Sequence, residues 1–143
     1  MGARSYYHSW LLMCAVLAAH IADEAFTGFL GLYNPTVLGI RARVPWLVAP
    51  TFTFPVWISL LVMGVIGLLI LSRWVKRGLH WTVYASYAFA GIMLANGIAH
   101  LGFSVYKGRW MPGAYTSPLV LAAAVNLTIQ TYVNARRPAC SSG

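Results

Sequence analysis

WLLMCAVLAAHIADEAFTGFLGLY, residues 10 to 33, decides how the rest of the chain is read. About 20 helical residues cross a hydrocarbon core of ~30 Å, and this stretch is long and apolar enough to do so. An imidazole and two carboxylates interrupt it: His20, Asp23 and Glu24. Asp23 and Glu24 are also the only acids among the 143 residues.

The whole composition agrees with a bilayer as solvent. The chain is 59% hydrophobic and 8% charged, outside the range of soluble globular proteins. Its net charge of +8 comes from small basic clusters between apolar runs. With no basic stripe or recognition motif, nucleic acid is not an expected partner. Cys14 lies in the first apolar run and Cys140 in the polar tail, so their spacing indicates neither a disulfide framework nor a metal knuckle.

Three further apolar stretches follow, giving expected spans of about 10–33, 53–71, 81–105 and 115–133. The expected fold is all-α, an integral membrane four-helix bundle with residues 1–143 as one domain. A leader-peptide reading of the first stretch fits less well, because apolar character resumes at Ala25. Asn34-Pro35, Arg41 to Pro50, Arg73 to Gly78 and Lys107 to Gly113 read as connections. Arg4, Arg73, Lys76, Arg77, Arg136 and Arg137 fall on one side, and Arg41, Arg43, Lys107 and Arg109 on the other. The positive-inside rule then puts both termini in the cytoplasm, in the cell membrane. Trp10, Trp74 and Trp81 fit an inner aromatic belt, and Tyr33, Trp46, Trp57 and Trp110 an outer one. His8 and His80 read as interfacial. The pairs Gly28/Gly31 and Gly64/Gly67 suggest close helix approach.

At about 100° per residue, His20, Asp23, Glu24 and Thr27 project from one helical face. Charged groups in a span cost at least ~2.5 kcal/mol each, so they turn inward and find partners. Asn96 and His100, four residues apart in the third span, are the expected partners. Counting ~1.5 Å per residue from the outer ends places Glu24 and Asn96 both about 14 Å down, and His20 about 20 Å down. Asn126 of the fourth span, with Gln130 on the same face, comes out near the level of His20. One polar pocket lined by the first, third and fourth spans is therefore expected.

Three kinds of chemistry fit such a pocket. A carboxyl group shielded from water favours its neutral form, so it can keep a proton near neutrality and deliver it to an apolar substrate. In that reading Glu24 donates the proton, His20 and Asp23 tune and reprotonate it, and Asn96 and His100 complete the set of candidate catalytic residues. Thr27, Tyr87, Asn126 and Trp110 are the candidate substrate-binding residues, with Trp81 and Tyr84 as further aromatic neighbours for a cation. No cofactor is needed, and the partner is a membrane lipid or other apolar molecule. Alternatively, His20, Asp23, Glu24 and His100 hold zinc or iron. A third reading is a proton-coupled small-molecule carrier, for which a homo-oligomer would enlarge the path. Helix gluing alone is an expensive use of three ionisable groups, since intramembrane hydrogen bonds average only ~0.6 kcal/mol.

His20-Ile-Ala-Asp23-Glu24, with Asn96-Gly-Ile-Ala-His100 and Lys107-Gly-Arg-Trp-Met-Pro112-Gly113, resembles the HXXEE-domain family of small bacterial membrane proteins. The resemblance covers nearly the whole chain. Asp23 stands where the family's first Glu is usual, and Trp110 where the Tyr of its Pro-Gly turn is usual. The resemblance implies an integral membrane protein. A more distant similarity to the emopamil-binding sterol isomerases, carried by His20 and Glu24 alone, implies proton delivery to a double bond inside the bilayer.

Overall fold

The computed structural model describes residues 2–46 and 48–136, and no strand occurs among them. Five helices follow in order: α1 (Gly2–Phe26), α2 (Phe29–Arg43), α3 (Phe54–Lys76), α4 (Trp81–Lys107) and α5 (Ser117–Ala135). Arg137 and Cys140 lie outside the described residues. Three helices, α1, α3 and α4, are long and apolar enough to cross a membrane. The 19 residues of α5 include Asn126, Gln130 and Asn134, which dilute its apolar character.

The stretch 10–33 is two helices rather than one. The amide of Thr27 donates to Asp23 O (2.9 Å) as the last turn of α1 closes. Gly28 then takes φ +79°, a left-handed conformation that glycine enters without steric penalty and that stops a helix. Apolar residues continue on both sides of this break, so hydropathy does not register it. The expected connection at Asn34-Pro35 is also corrected, because α2 runs through Pro35. Asn34 instead pairs with a neighbouring backbone. Its amide donates to Phe52 O (2.8 Å) and accepts from Phe52 N (3.1 Å), while Tyr33 Oη donates to Pro50 O (3.1 Å). These bonds fasten α2 to the segment that enters α3.

Helix α1 is central, packed against α3 and α5, and α4 packs against α5. The core combines Tyr6, Trp10 and Met13 of α1 with Val75 of α3, Phe89 and Met93 of α4, and Val120 and Leu127 of α5. Trp10 therefore belongs to the core and not to an interfacial belt. It meets Phe89 edge-on at 5.3 Å, and its Nε1 donates to Leu68 O (3.0 Å). Tyr6 Oη donates to Thr82 O (2.9 Å) and lies 2.7 Å from Ser86 Oγ.

The glycine expectation is corrected as well. A Cβ at Gly28, Gly31, Gly64 or Gly67 would meet nothing within 4 Å, whereas one at Gly97 would lie 2.8 Å from Leu121 Cδ2. Close approach occurs between α4 and α5. Gly64 is exposed on α3, among the outward-facing Leu60, Met63 and Ile66.

Candidate functional site

The site forms where α1 ends. Because Gly28 stops that helix, Glu24 lies two residues from its end instead of about 14 Å below Tyr33. The acids thus sit near a helix terminus.

His20 and Glu24 are one turn apart and face inward, and α4 supplies His100 opposite them. Glu24 Oε1 lies 2.9 Å from His100 Nε2 and 3.6 Å from His20 Nε2. His20 is 1% exposed and Glu24 7%. The two imidazoles meet edge-to-face at 5.0 Å. The expected meeting of His20, Glu24 and His100 is therefore present in the structure.

Asp23 points elsewhere. Its Oδ2 accepts from Thr116 N (3.0 Å) and Thr116 Oγ1 (2.9 Å). Thr116 is the N-cap residue of α5, where unpaired amides and the helix dipole favour a carboxylate. A threonine hydroxyl has one proton. With that proton on Asp23, Thr116 Oγ1 accepts from His20 Nδ1 at 2.7 Å. This network assigns the Nδ1–H tautomer to neutral His20 and leaves the Nε2 lone pair facing Glu24. Nε2 has no hydrogen-bond partner among the described residues.

The α4–α5 connection closes over His100. Gly108, at φ +62°, ends α4, and Arg109 N returns to Ser104 O (3.2 Å), a Schellman-type stop. Ser104 Oγ donates to His100 O (2.8 Å) and accepts from Met111 N (3.1 Å). Gly113, at φ +81°, lies so close to the imidazole that a Cβ there would stand 2.7 Å from His100 Cε1.

An apolar cleft of about 330 Å³ adjoins this arrangement, lined by Phe29, Leu32, Asn96, Ala99, His100, Phe103 and Met111. Asn96 lines the cleft and stands near His20, but no hydrogen bond of acceptable geometry reaches Nε2. Phe29 of α2 lies 5.8 Å from the His100 ring.

The expected substrate-binding residues do not line this cleft. Asn126 donates to Ser9 Oγ (3.0 Å) and does not reach His20. It lies ten residues beyond Thr116, about 15 Å along α5, and the break at Gly28 moves His20 the other way. Tyr87 is exposed on α4, nine residues or about 13 Å before Asn96. Trp81 and Tyr84 are exposed too. Trp110 stacks on Tyr115 at 5.3 Å and lines clefts with Arg109. Thr27 uses its hydroxyl on Asp23 O at the end of α1. Of the four expected metal ligands, His20, Glu24 and His100 offer donor atoms within 4.8 Å of one another, and Asp23 is not in that group.

Thr116, Phe29 and Met111 carry no signal of this role in the sequence. Thr116 shows no periodicity, because it precedes α5 and acts through one hydroxyl and one amide. Phe29 falls inside the expected first span, where it is one apolar residue among many. Compared with protein-family models, curated proteins and solved structures, the chain matches none.

Proposed function

We propose that this chain is a membrane-embedded acid/base enzyme, isomerase- or cyclase-like, acting by proton transfer on an apolar lipid, sterol or isoprenoid-type substrate. The observation that carries this reading is the 2.9 Å contact between buried Glu24 and His100 beside a cleft whose other walls are almost wholly apolar. The pair shares a proton where water is scarce. Transfer of that proton to an alkene carbon produces a carbocation, and the apolar cleft shields the cation from water. Loss of a proton from a neighbouring carbon returns it to the pair and shifts the double bond. If an internal alkene attacks the cation first, a ring closes, and the new cation then loses a proton to the pair. Phe29 and Phe103 offer aromatic faces to the cation, and Asn96 is the polar group that orients a substrate oxygen.

The membrane placement belongs to the same proposal. Helices α1, α3, α4 and α5 are its four spans in the cell membrane, with both termini cytoplasmic. The apolar outer face of α3 supports this, with Leu60, Met63, Ile66, Leu69 and Ile70 all exposed. The resemblance to the HXXEE-domain family is part of the reading and supplies no substrate.

Deuterium labelling of a whole lipid extract tests the proposal with no single substrate chosen beforehand. Metal-free purified protein in detergent is incubated in D2O with the apolar lipid extract of the producing cells, and the lipids are read by mass spectrometry. The parent protein should place non-exchangeable deuterium in one lipid class, and His100→Ala should not. Absence of labelling by the parent would contradict the proposal.

A further inference from the structure

Proton sharing between Glu24 and His100 leaves one feature unused. His20 is 1% exposed, yet its Nε2 has no partner among the described residues. A buried polar atom without a partner has given up its hydration with nothing in return. Its direction is not accidental, because the Asp23–Thr116–His20 chain fixes the Nδ1–H tautomer and turns the lone pair toward Glu24.

We infer that His20 Nε2, Glu24 Oε1 and His100 Nε2 form a binding site for a divalent transition-metal ion of the zinc type. The three donor atoms lie within 4.8 Å of one another, and Glu24 Oε1 stands 3.6 Å and 2.9 Å from the two nitrogens. Tetrahedral donors at bond lengths of ~2.0 to 2.1 Å are about 3.3 Å apart. The two Glu24 separations lie on either side of that value, and a bound ion would draw together the two imidazole nitrogens, which lie within 4.8 Å of each other. Two imidazoles and one carboxylate suit zinc, cobalt or ferrous iron better than magnesium or calcium, which prefer oxygen ligands.

The surroundings match the requirement for oriented ligands. A metal-bound imidazole commonly donates its other N–H to an acceptor that fixes its direction. His20 does so to Thr116, whose hydroxyl is held in turn by the Asp23 carboxylate. The His100 ring packs on its other side close against Gly113, where a Cβ would lie 2.8 Å from Nδ1. Thr116 is a positioning residue in this site, since it acts through His20.

The site shares the Glu24–His100 contact with the proton-transfer reading and goes beyond it through the unpartnered His20 Nε2. A bound ion occupies the lone pairs of Glu24 and His100, so metal and the transferable proton exclude each other. Zinc then acts as an inhibitor of the proton chemistry.

Cobalt is the probe that tests it. Tag-free protein in detergent is stripped with a chelator, titrated with Co2+ and followed by visible absorption, with zinc displacement afterwards. The expected result is one Co2+ per chain with the d–d bands of nitrogen and oxygen ligation, displaced by Zn2+ and not by excess Mg2+. His20→Ala should weaken binding by about 100-fold or more. Thr116→Val should weaken it by about 10- to 100-fold, and Thr116→Ser should restore it. Circular dichroism establishes that each variant is folded. Should His20→Ala misfold, His100→Gln and Glu24→Gln serve in its place. Failure of the parent to bind Co2+ stoichiometrically, or undiminished binding by the folded variants, would overturn the site. Either result leaves the deuterium experiment on metal-free protein intact, so the two proposals fail separately.

Discussion

Helix α1 meets α4 at both of its ends, and the two meetings are built differently. Near its start, Tyr6 joins Thr82 and Ser86 through neutral hydroxyls, and Trp10 packs on Phe89. Each of these polar groups is neutral and partnered. Near its finish, two imidazoles and a carboxylate are brought together, and one ring nitrogen is left without a partner among the described residues. At the first end, neutral hydroxyls and aromatic packing join the two helices. The second end joins them through ionisable groups instead.

Substitutions at the two ends should separate stability from chemistry. Trp10→Ala is expected to have the largest effect on stability, a loss of about 3 to 5 kcal/mol for a buried aromatic. Reversible unfolding in mixed detergent would measure it. Gly113→Ala comes next. Its Cβ would collide with the His100 ring, and a non-glycine residue at positive φ costs roughly 1 to 2 kcal/mol more. The expected outcome is lower stability together with lost deuterium labelling. A Gly113→Ala protein with full labelling would show that the position of His100 does not matter.

Tyr6→Phe removes one hydroxyl and should cost about 0.5 to 1.5 kcal/mol with labelling unchanged. Ser86 keeps its bond to Thr82 O (2.8 Å), which limits the loss. Asn126→Leu should have the smallest effect. A single interhelical bond averages ~0.6 kcal/mol in a membrane, and the Ser9 partner is remote from the cleft. Loss of labelling in that variant would return Asn126 to the site.

The residues of the ionisable end are more legible in the sequence than its level in the fold. Spacing puts His20 and Glu24 on one face, and a count of depth names Asn96 and His100 as their partners, of which His100 meets Glu24. The depth differs from expectation for one reason, the left-handed Gly28. It ends α1 inside a run that stays apolar from Ala25 to Tyr33, and composition carries no record of a dihedral angle. That break also explains why Asn126 does not stand opposite His20. Asp23 shares a face with Glu24 by spacing, but its partner is the N-terminus of α5, which only the tertiary arrangement provides. Pro35 reads as a breaker, although α2 accommodates it. Thr116, which assigns the His20 tautomer, lies in a turn where no pattern marks it.

Glu24→Gln tests the central claim most directly, because it keeps the shape of the side chain and removes its charge and acidity. Unfolding free energy and deuterium labelling are measured on the same preparation. Stability within about 0.5 kcal/mol of the parent, or above it, is predicted, since an uncharged amide is easier to bury, with labelling abolished. A variant destabilised as severely as Trp10→Ala that still labels its lipid would make the cluster structural and contradict the claim.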